Sequence, residues 1–185
     1  VYSSELLRAR NSAKILGFNN VITDKRINER DFGVFIGKTH EECLRDLSFE
    51  YSSYQRDPIG YKIPDGESYH DVCSRVWSFL DEISEKERLS NNPIMNFRPA
   101  PGDDRNIMVV AHFNVITACA CWVLDNVNFA RNITIDNGGV LVIEIRGAYK
   151  MIYFDNSATT KPSRACIAAV TEAMERRYAN ASSLH

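Results

Sequence analysis

The chain has no uninterrupted apolar stretch of the ~20 residues that a membrane-spanning helix needs, and no basic-then-apolar leader precedes its first periodic segment. Neither sign of charge dominates. Lys and Arg number 22 against 24 Asp and Glu, for a formal net charge of −2, without the basic excess of a nucleic-acid binder. No C-x-x-C pair occurs. The five cysteines (Cys43, Cys73, Cys119, Cys121 and Cys166) are odd in number and lack zinc-ligand spacing, which excludes a closed disulfide framework and gives no metal site. These absences point to a cytoplasmic protein of about one domain with reduced thiols in its core. The chain opens on Val1, in what reads as the end of a strand, and closes on His185 without a tail, so both ends read as cut.

What is present alternates helix and strand. In "SELLRARNSAKIL" the residues Leu6, Ala9, Ala13 and Leu16 recur at helical spacing, with Ser4 as the expected N-cap; Arg8 and Ser12 share another face. "NERDFGVFIGK" (28–38) has two glycines and no sustained period, which predicts an irregular loop, and Thr39 with Glu42 has capping-box spacing for the next helix. After the turn "PDGES", Ser68 and Asp71 bracket a second helix start, whose buried stripe is Tyr69, Val72, Val76, Phe79 or Leu80, and Ile83. Residues 89–105, rich in Asn, Pro and Asp, read as a surface connection. Ile107 to Ala111 is a continuous apolar run, as a parallel strand covered on both faces requires, and it ends in His112, where such sheets present ligand-binding groups. Asn114 is placed to cap a helix carrying Val115, Cys119 and Trp122 inward, and "ITIDNGGVLVIEI" predicts a hairpin around Asn137-Gly138. The order implies a three-layer α/β/α fold with an antiparallel edge.

Arg8, Glu29 and His112 stand at element ends or on a loop, outside the apolar stripes. Singly, each also fits a solvated charge or a satisfied histidine at a strand end. Together, guanidinium, imidazole and a helix N-terminus favour a phosphate dianion, and a nearby carboxyl can pass a proton to a leaving oxygen. Ser12, one turn beyond Arg8, and Asn114, two residues after His112, complete the candidate phosphate-binding set.

"YSSELLRARNSAKIL", "RINERDFGVFIGKTHEE", "PDGES" and "MVVAHFNVI" stand in the order and approximate spacing of the histidine phosphatase superfamily, and residues 1–150 resemble its phosphoglycerate mutase-like branch. The resemblance implies a phosphate-binding arginine at Arg8, the acidic proton donor at Glu29 and a phosphate-binding histidine at His112. It implies a small phosphoester or phosphate as partner, neither nucleic acid nor membrane, and no cofactor. The family's nucleophile is another histidine, in an Arg-His-Gly motif at the end of its first strand, and no such motif occurs in this chain. None of His40, His70 and His185 has the strand-end setting or the adjacent arginine that phosphohistidine chemistry needs. Phe113 stands where the family commonly has glycine. The expectation is therefore a domain incomplete at its N-terminus and inactive as it stands.

From Met151 the sequence changes character. "MIYFDNSATTKP", the helix-like "SRACIAAVTEAMERRY" and "NASSLH" resemble the N-terminus of a cysteine desulfurase, a pyridoxal-phosphate enzyme of the class V aminotransferase fold. In that family the cofactor lysine and the persulfide cysteine lie far downstream, so residues 151–185 would bind no pyridoxal phosphate here. A second placement keeps Met151 to Phe154 in the first domain, as the return strand of a hairpin turning at Gly147-Ala148. Three functional classes are thus carried forward: a histidine phosphatase fragment, a desulfurase fragment divided from it at Lys150-Met151, and a catalytically silent anion-binding or interaction module.

Overall fold

The structure is a computed structural model that describes residues 1–90, 106–146 and 149–155. Parallel strands and helices alternate, as the sequence pattern requires. Strand β1 (Tyr2–Ser3) leads into helix α1 (Leu7–Ile15) and strand β2 (Ile22–Thr23). Helices α2 (His40–Asp46), α3 (Ser48–Arg56) and α4 (Tyr69–Ser90) follow, then strand β3 (Val109–Val110), helix α5 (Phe113–Leu124) and the pair β4 (Val140–Arg146) and β5 (Tyr149–Asp155). The three parallel strands run in the order β2-β1-β3, with Tyr2 opposite Ile22 on one side and Val109 on the other.

The main core lies where α4 and α5 pack against one face of this sheet. Val72, Val76, Phe79, Leu80 and Ile83 of α4 meet Val115, Ala118, Cys119 and Trp122 of α5, with Tyr2, Val109 and Ala111 packed against them. Side chains alternate across a strand, so Ser3 and Val110 look to the other face; α1 contacts both β1 and β3. Both expected capping boxes form. Thr39 Oγ1 accepts from the Glu42 amide while Glu42 Oε2 accepts from the Thr39 amide, and Ser68 and Asp71 exchange the same two bonds at the start of α4. A smaller cluster of Phe35, Cys43 and Ile63 supports α2 and α3. Cys43, Cys73, Cys119 and Cys121 are free and buried, while Cys166 lies outside the described residues.

Three local expectations are corrected. Helix α1 begins at Leu7 with Leu6 as its N-cap, because the Ser4 hydroxyl is drawn into tertiary bonds with His112 and Asn28 and, within its own segment, accepts from the Leu6 amide rather than from the first turn of the helix. His112, not Asn114, is the N-cap of α5. No hairpin forms around Asn137-Gly138: Gly139 donates to the Asp136 carbonyl in a turn that leads into β4, and β4 takes β5 as its antiparallel partner from Val140↔Asp155 to Arg146↔Tyr149. The apolar and aromatic run of β5 is the better complement, since Ile133 is already buried after the preceding 3-10 turn. Lys150 and Met151 both lie inside β5, and this two-stranded sheet is separate from the parallel one rather than its edge. The expected connection over 91–105, the turn at Gly147-Ala148 and the helix after Pro162 lie outside the described residues.

The loop after Glu29 and the "PDGES" turn approach so closely that only glycine fits between them. Gly33 has φ +47, and a Cβ there would lie 2.1 Å from the Pro64 carbonyl oxygen. Gly33→Ala is expected to cost on the order of 2–4 kcal/mol through backbone strain and overpacking. Gly138→Ala shares a positive φ but meets nothing within 4 Å, and should cost only about 1 kcal/mol. Urea unfolding midpoints of the two variants check the difference.

Candidate active site

Parallel pairing brings the ends of β1 and β3 together, so Ser4 arrives beside His112, and the first turn of α1 carries Arg8 to the same place. Arg8 Nε donates to His112 Nδ1 at 3.2 Å, although 104 residues separate them. Nδ1 therefore holds a lone pair, and the neutral ring carries its proton on Nε2, 2.8 Å from Ser4 Oγ. Ser4 accepts that proton's bond and passes its own hydroxyl to Asn28 Oδ1 at 3.0 Å. Asn28 Nδ2 donates to Glu5 Oε2 at 3.0 Å, and the Glu5 amide donates back to Asn28 Oδ1 at 2.8 Å. Every donor in this series has an acceptor.

His112 is only 8 % exposed. Burial, and then the nearby Arg8 and Arg75 cations, push its pKa down to about 4. At neutral pH the imidazole is uncharged, with both nitrogens engaged. Positive potential at the site then comes from the exposed Arg8 guanidinium and from the N-terminus of α5, whose N-cap makes no side-chain cap bond. Phe113, the first residue of α5, sits in ordinary helical backbone and is 47 % exposed, so no glycine is required there.

Glu29 follows Asn28 on the same loop and is half-buried. Its Oε1 accepts from the Arg30 amide at 2.8 Å, and no hydrogen bond joins it to Arg8 or His112 among the described residues. Its place is set from behind. Arg75 donates to the carbonyls of Arg26 and Asn28, both at 2.7 Å, and of Glu29 at 3.3 Å, while its Nε reaches Glu67 Oε1 at 2.7 Å. Glu67 also accepts from the Asp31 amide; burial opposes its charge, but Arg75 and this amide hold its carboxyl below the ordinary range. Ser12 turns to its own helix, donating to the Arg8 carbonyl at 3.0 Å. The Asn114 side chain makes no hydrogen bond among the described residues, and its carbonyl accepts from Thr117.

Of the candidates, Arg8 and His112 are brought into contact, Glu29 is placed on the loop tied to them through Asn28, the Ser12 hydroxyl meets the Arg8 main chain, and the Asn114 side chain is bonded to none of them among the described residues. Ser4, Asn28, Glu67 and Arg75 were not among the sequence candidates. "PDGES" was legible as a turn and cap, but pairing its glutamate with an arginine eight residues on requires the three-dimensional fold. No cluster of three potential metal ligands occurs among the described residues.

A comparison with known proteins places the chain in a family. The sequence profile of the histidine phosphatase superfamily (branch 1) matches residues 1–154. The chain belongs to this superfamily. A Hydrogenobacter thermophilus protein with a provisional phosphoserine phosphatase name is 25% identical over 162 residues, covering 84% of this chain and 71% of that protein. The 6-phosphofructo-2-kinase/fructose-2,6-bisphosphatase of Arabidopsis thaliana is 35% identical over 89 residues, covering 48% of this chain but only 12% of the relative. Among solved structures, the alpha-ribazole phosphatase of Shigella flexneri superposes with a TM-score of 0.70 at 20% identity, over 86% of this chain and 75% of that one. The superfamily match runs past Lys150-Met151 to the residue before the end of β5.

The neutral His112 gives a pH signature. An unfolded imidazole titrates near 6.5 and the folded one near 4, so the stability gained by keeping it neutral is fully present above pH 6.5. That stability is lost as pH falls toward 4, approaching on the order of 3 kcal/mol. Urea unfolding of the parent chain and of His112→Gln between pH 7.5 and 4.5 should show a steeper loss in the parent.

Proposed function

We propose that this chain carries the phosphate-binding and proton-donating half of a phosphomonoester phosphatase site. The observation that carries the proposal is the contact of Arg8 with His112 at the mouth of the parallel sheet, beside the free N-terminus of α5. The phosphate oxygens would take the outer N–H groups of Arg8 and the first-turn amides of α5, a charge-assisted arrangement. Glu29, when protonated, would donate to the leaving oxygen of the ester. In a complete family site a histidine attacks phosphorus as the ester oxygen departs, and water later cleaves the phosphohistidine.

We further infer that the chain as it stands binds anions without turning esters over. His40 is exposed and pairs with the Tyr51 hydroxyl at 2.7 Å, His70 is exposed on α4, and His112 is spent on Ser4 and Arg8. His112 is thus engaged at both nitrogens, and neither His40 nor His70 is hydrogen-bonded to Arg8 or His112 among the described residues. The named relatives act on an amino-acid phosphate, a sugar bisphosphate and a ribazole phosphate, and a small phosphoester is the shared chemistry carried to this chain. Hydrolysis or a mutase-type return of the phosphate are both open to such a site. Location in the cytoplasm is likewise proposed; among the described residues no helix is long and apolar enough to cross a membrane.

Phosphate or vanadate titration followed by NMR is expected to shift the His112 ring and the amides of Phe113 to Val115 at millimolar anion. Arg8→Ala should weaken that binding by about 1.5–3 kcal/mol, whereas Glu29→Gln should leave it within a factor of about two. Shifts confined to surface lysines would sink the proposal. Hydrolysis of p-nitrophenyl phosphate should appear only when a strand bearing Arg-His-Gly is joined ahead of Val1, and turnover at an enzymatic rate without it would show another nucleophile.

A further inference from the structure

Helix α1 carries a second group of cations that the site above does not use. From Leu6 to Thr23 the sequence holds Arg8, Arg10 and Lys14 and no acidic residue, in a chain whose net charge is −2. Arg10 and Lys14 stand one turn apart on α1 and share a face. Arg10 lies about 200° and Lys14 about 240° round the helix from Arg8, with the buried Ala9 and Ala13 between. The two arginines therefore serve opposite flanks of α1.

Arg10 and Lys14 line a surface concavity of about 210 Å³ together with Asn19, Val21 and Thr23. No carboxylate lines it. Among the described residues the side chains of Arg10, Lys14, Asn19 and Thr23 make no hydrogen bond or ion pair. Lys14 lies in the last turn of α1, where its charge also offsets the helix dipole, but Arg10 lies outside that turn.

The sheet edge adds donors. Strand β2 pairs with β1 alone among the described residues, through Ile22 and Asp24 donating to the carbonyls of Val1 and Ser3. Main-chain groups alternate in direction along a strand, so the amides of Val21 and Thr23 turn away from β1 to the open edge. Both residues line the concavity. Guanidinium, ammonium, carboxamide, hydroxyl and two main-chain amides thus stand around one concave surface, more donors than the two oxygens of a carboxylate can accept.

We infer that this concavity binds a phosphate group, free or carried by a small molecule, at a site separate from Arg8 and His112. A tetrahedral oxyanion presents oxygens in several directions, and the fork of Arg10 with the compact charge of Lys14 suits its two negative charges. The volume is below the roughly 300 Å³ at which pockets for larger ligands begin, so the ligand is compact. Strand β2 spans only Ile22–Thr23, too short an edge to hold an extended peptide by a ladder. The site does not depend on the phosphatase reading of Arg8 and His112, since a helix about 10 Å across stands between them.

The test titrates the intact chain with inorganic phosphate at constant ionic strength and follows the amide resonances by NMR. Millimolar phosphate is expected to shift Val21, Thr23 and the Asn19 side chain. Arg10→Gln combined with Lys14→Gln should weaken this response at least about tenfold and leave the shifts at His112 unchanged, and Arg8→Ala should do the reverse. Both replaced side chains are exposed, so the double variant should fold; each single variant is expected to weaken the response about threefold. Acetate should bind at least about fivefold more weakly than phosphate. Glycerol phosphate separates the two sources: binding at least as tight as that of inorganic phosphate assigns a phosphorylated small molecule, and weaker binding assigns free phosphate. Shifts that persist in the double variant, an equal response to acetate, or tighter binding of an oligoglutamate peptide would overturn the site. The His112 shifts are read in the same spectra, so failure at Arg10 and Lys14 is distinct from failure at Arg8.

Discussion

The ion pair between Arg75 and Glu67 is what the rest of the site depends on. It joins the first turns of α4 to the "PDGES" turn, and the same guanidinium holds the carbonyls of Arg26, Asn28 and Glu29. A loop rich in polar residues and glycine would otherwise sample many conformations. Here it is fixed from the core side, which leaves its outer face for chemistry. Both side chains are about one-fifth exposed, so the pair is shielded enough to matter and is fully hydrogen-bonded, which offsets its desolvation.

The same economy governs His112. A buried histidine at a strand end beside two arginines would be costly as a cation, and the fold keeps it neutral by giving each nitrogen one defined partner. The imidazole then serves to aim Arg8 rather than to add charge. This is a different division of labour from the one its position suggests, since the positive potential lies with Arg8 and the end of α5.

Much of this was legible in the sequence, for reasons that can be named. Both capping boxes and the α4 stripe follow from spacing within a single helix, and all the stripe residues are buried. The apolar run ending in His112 gave the parallel strand, although only Val109–Val110 pair and both are half-buried. The misplaced features all involve a choice that local sequence leaves open. Ser4 has the chemistry of an N-cap and of a tertiary hydroxyl, and a residue 108 positions away decides between them. Asn137-Gly138 is a strong turn signal that does form a turn, but the strand it serves pairs forward instead of back. No local pattern singles out Arg30, yet it is almost fully buried, because the carbonyls of Pro58, Tyr61 and Glu67 converge on it.

The parallel pairing of β1 with β3 has a consequence for how the site comes into being. Arg8 and His112 meet across 104 residues, and Ser4 and His112 across 108, so no part of their contact can form until the chain has closed its longest loop. Contacts of such sequence separation are entropically late, and folds dominated by them fold slowly. On a ribosome, Arg8 and the Glu29 loop emerge well before the strand that completes them. Anion affinity should therefore be the last property this protein acquires as it folds, after the α4 and α5 core has already closed.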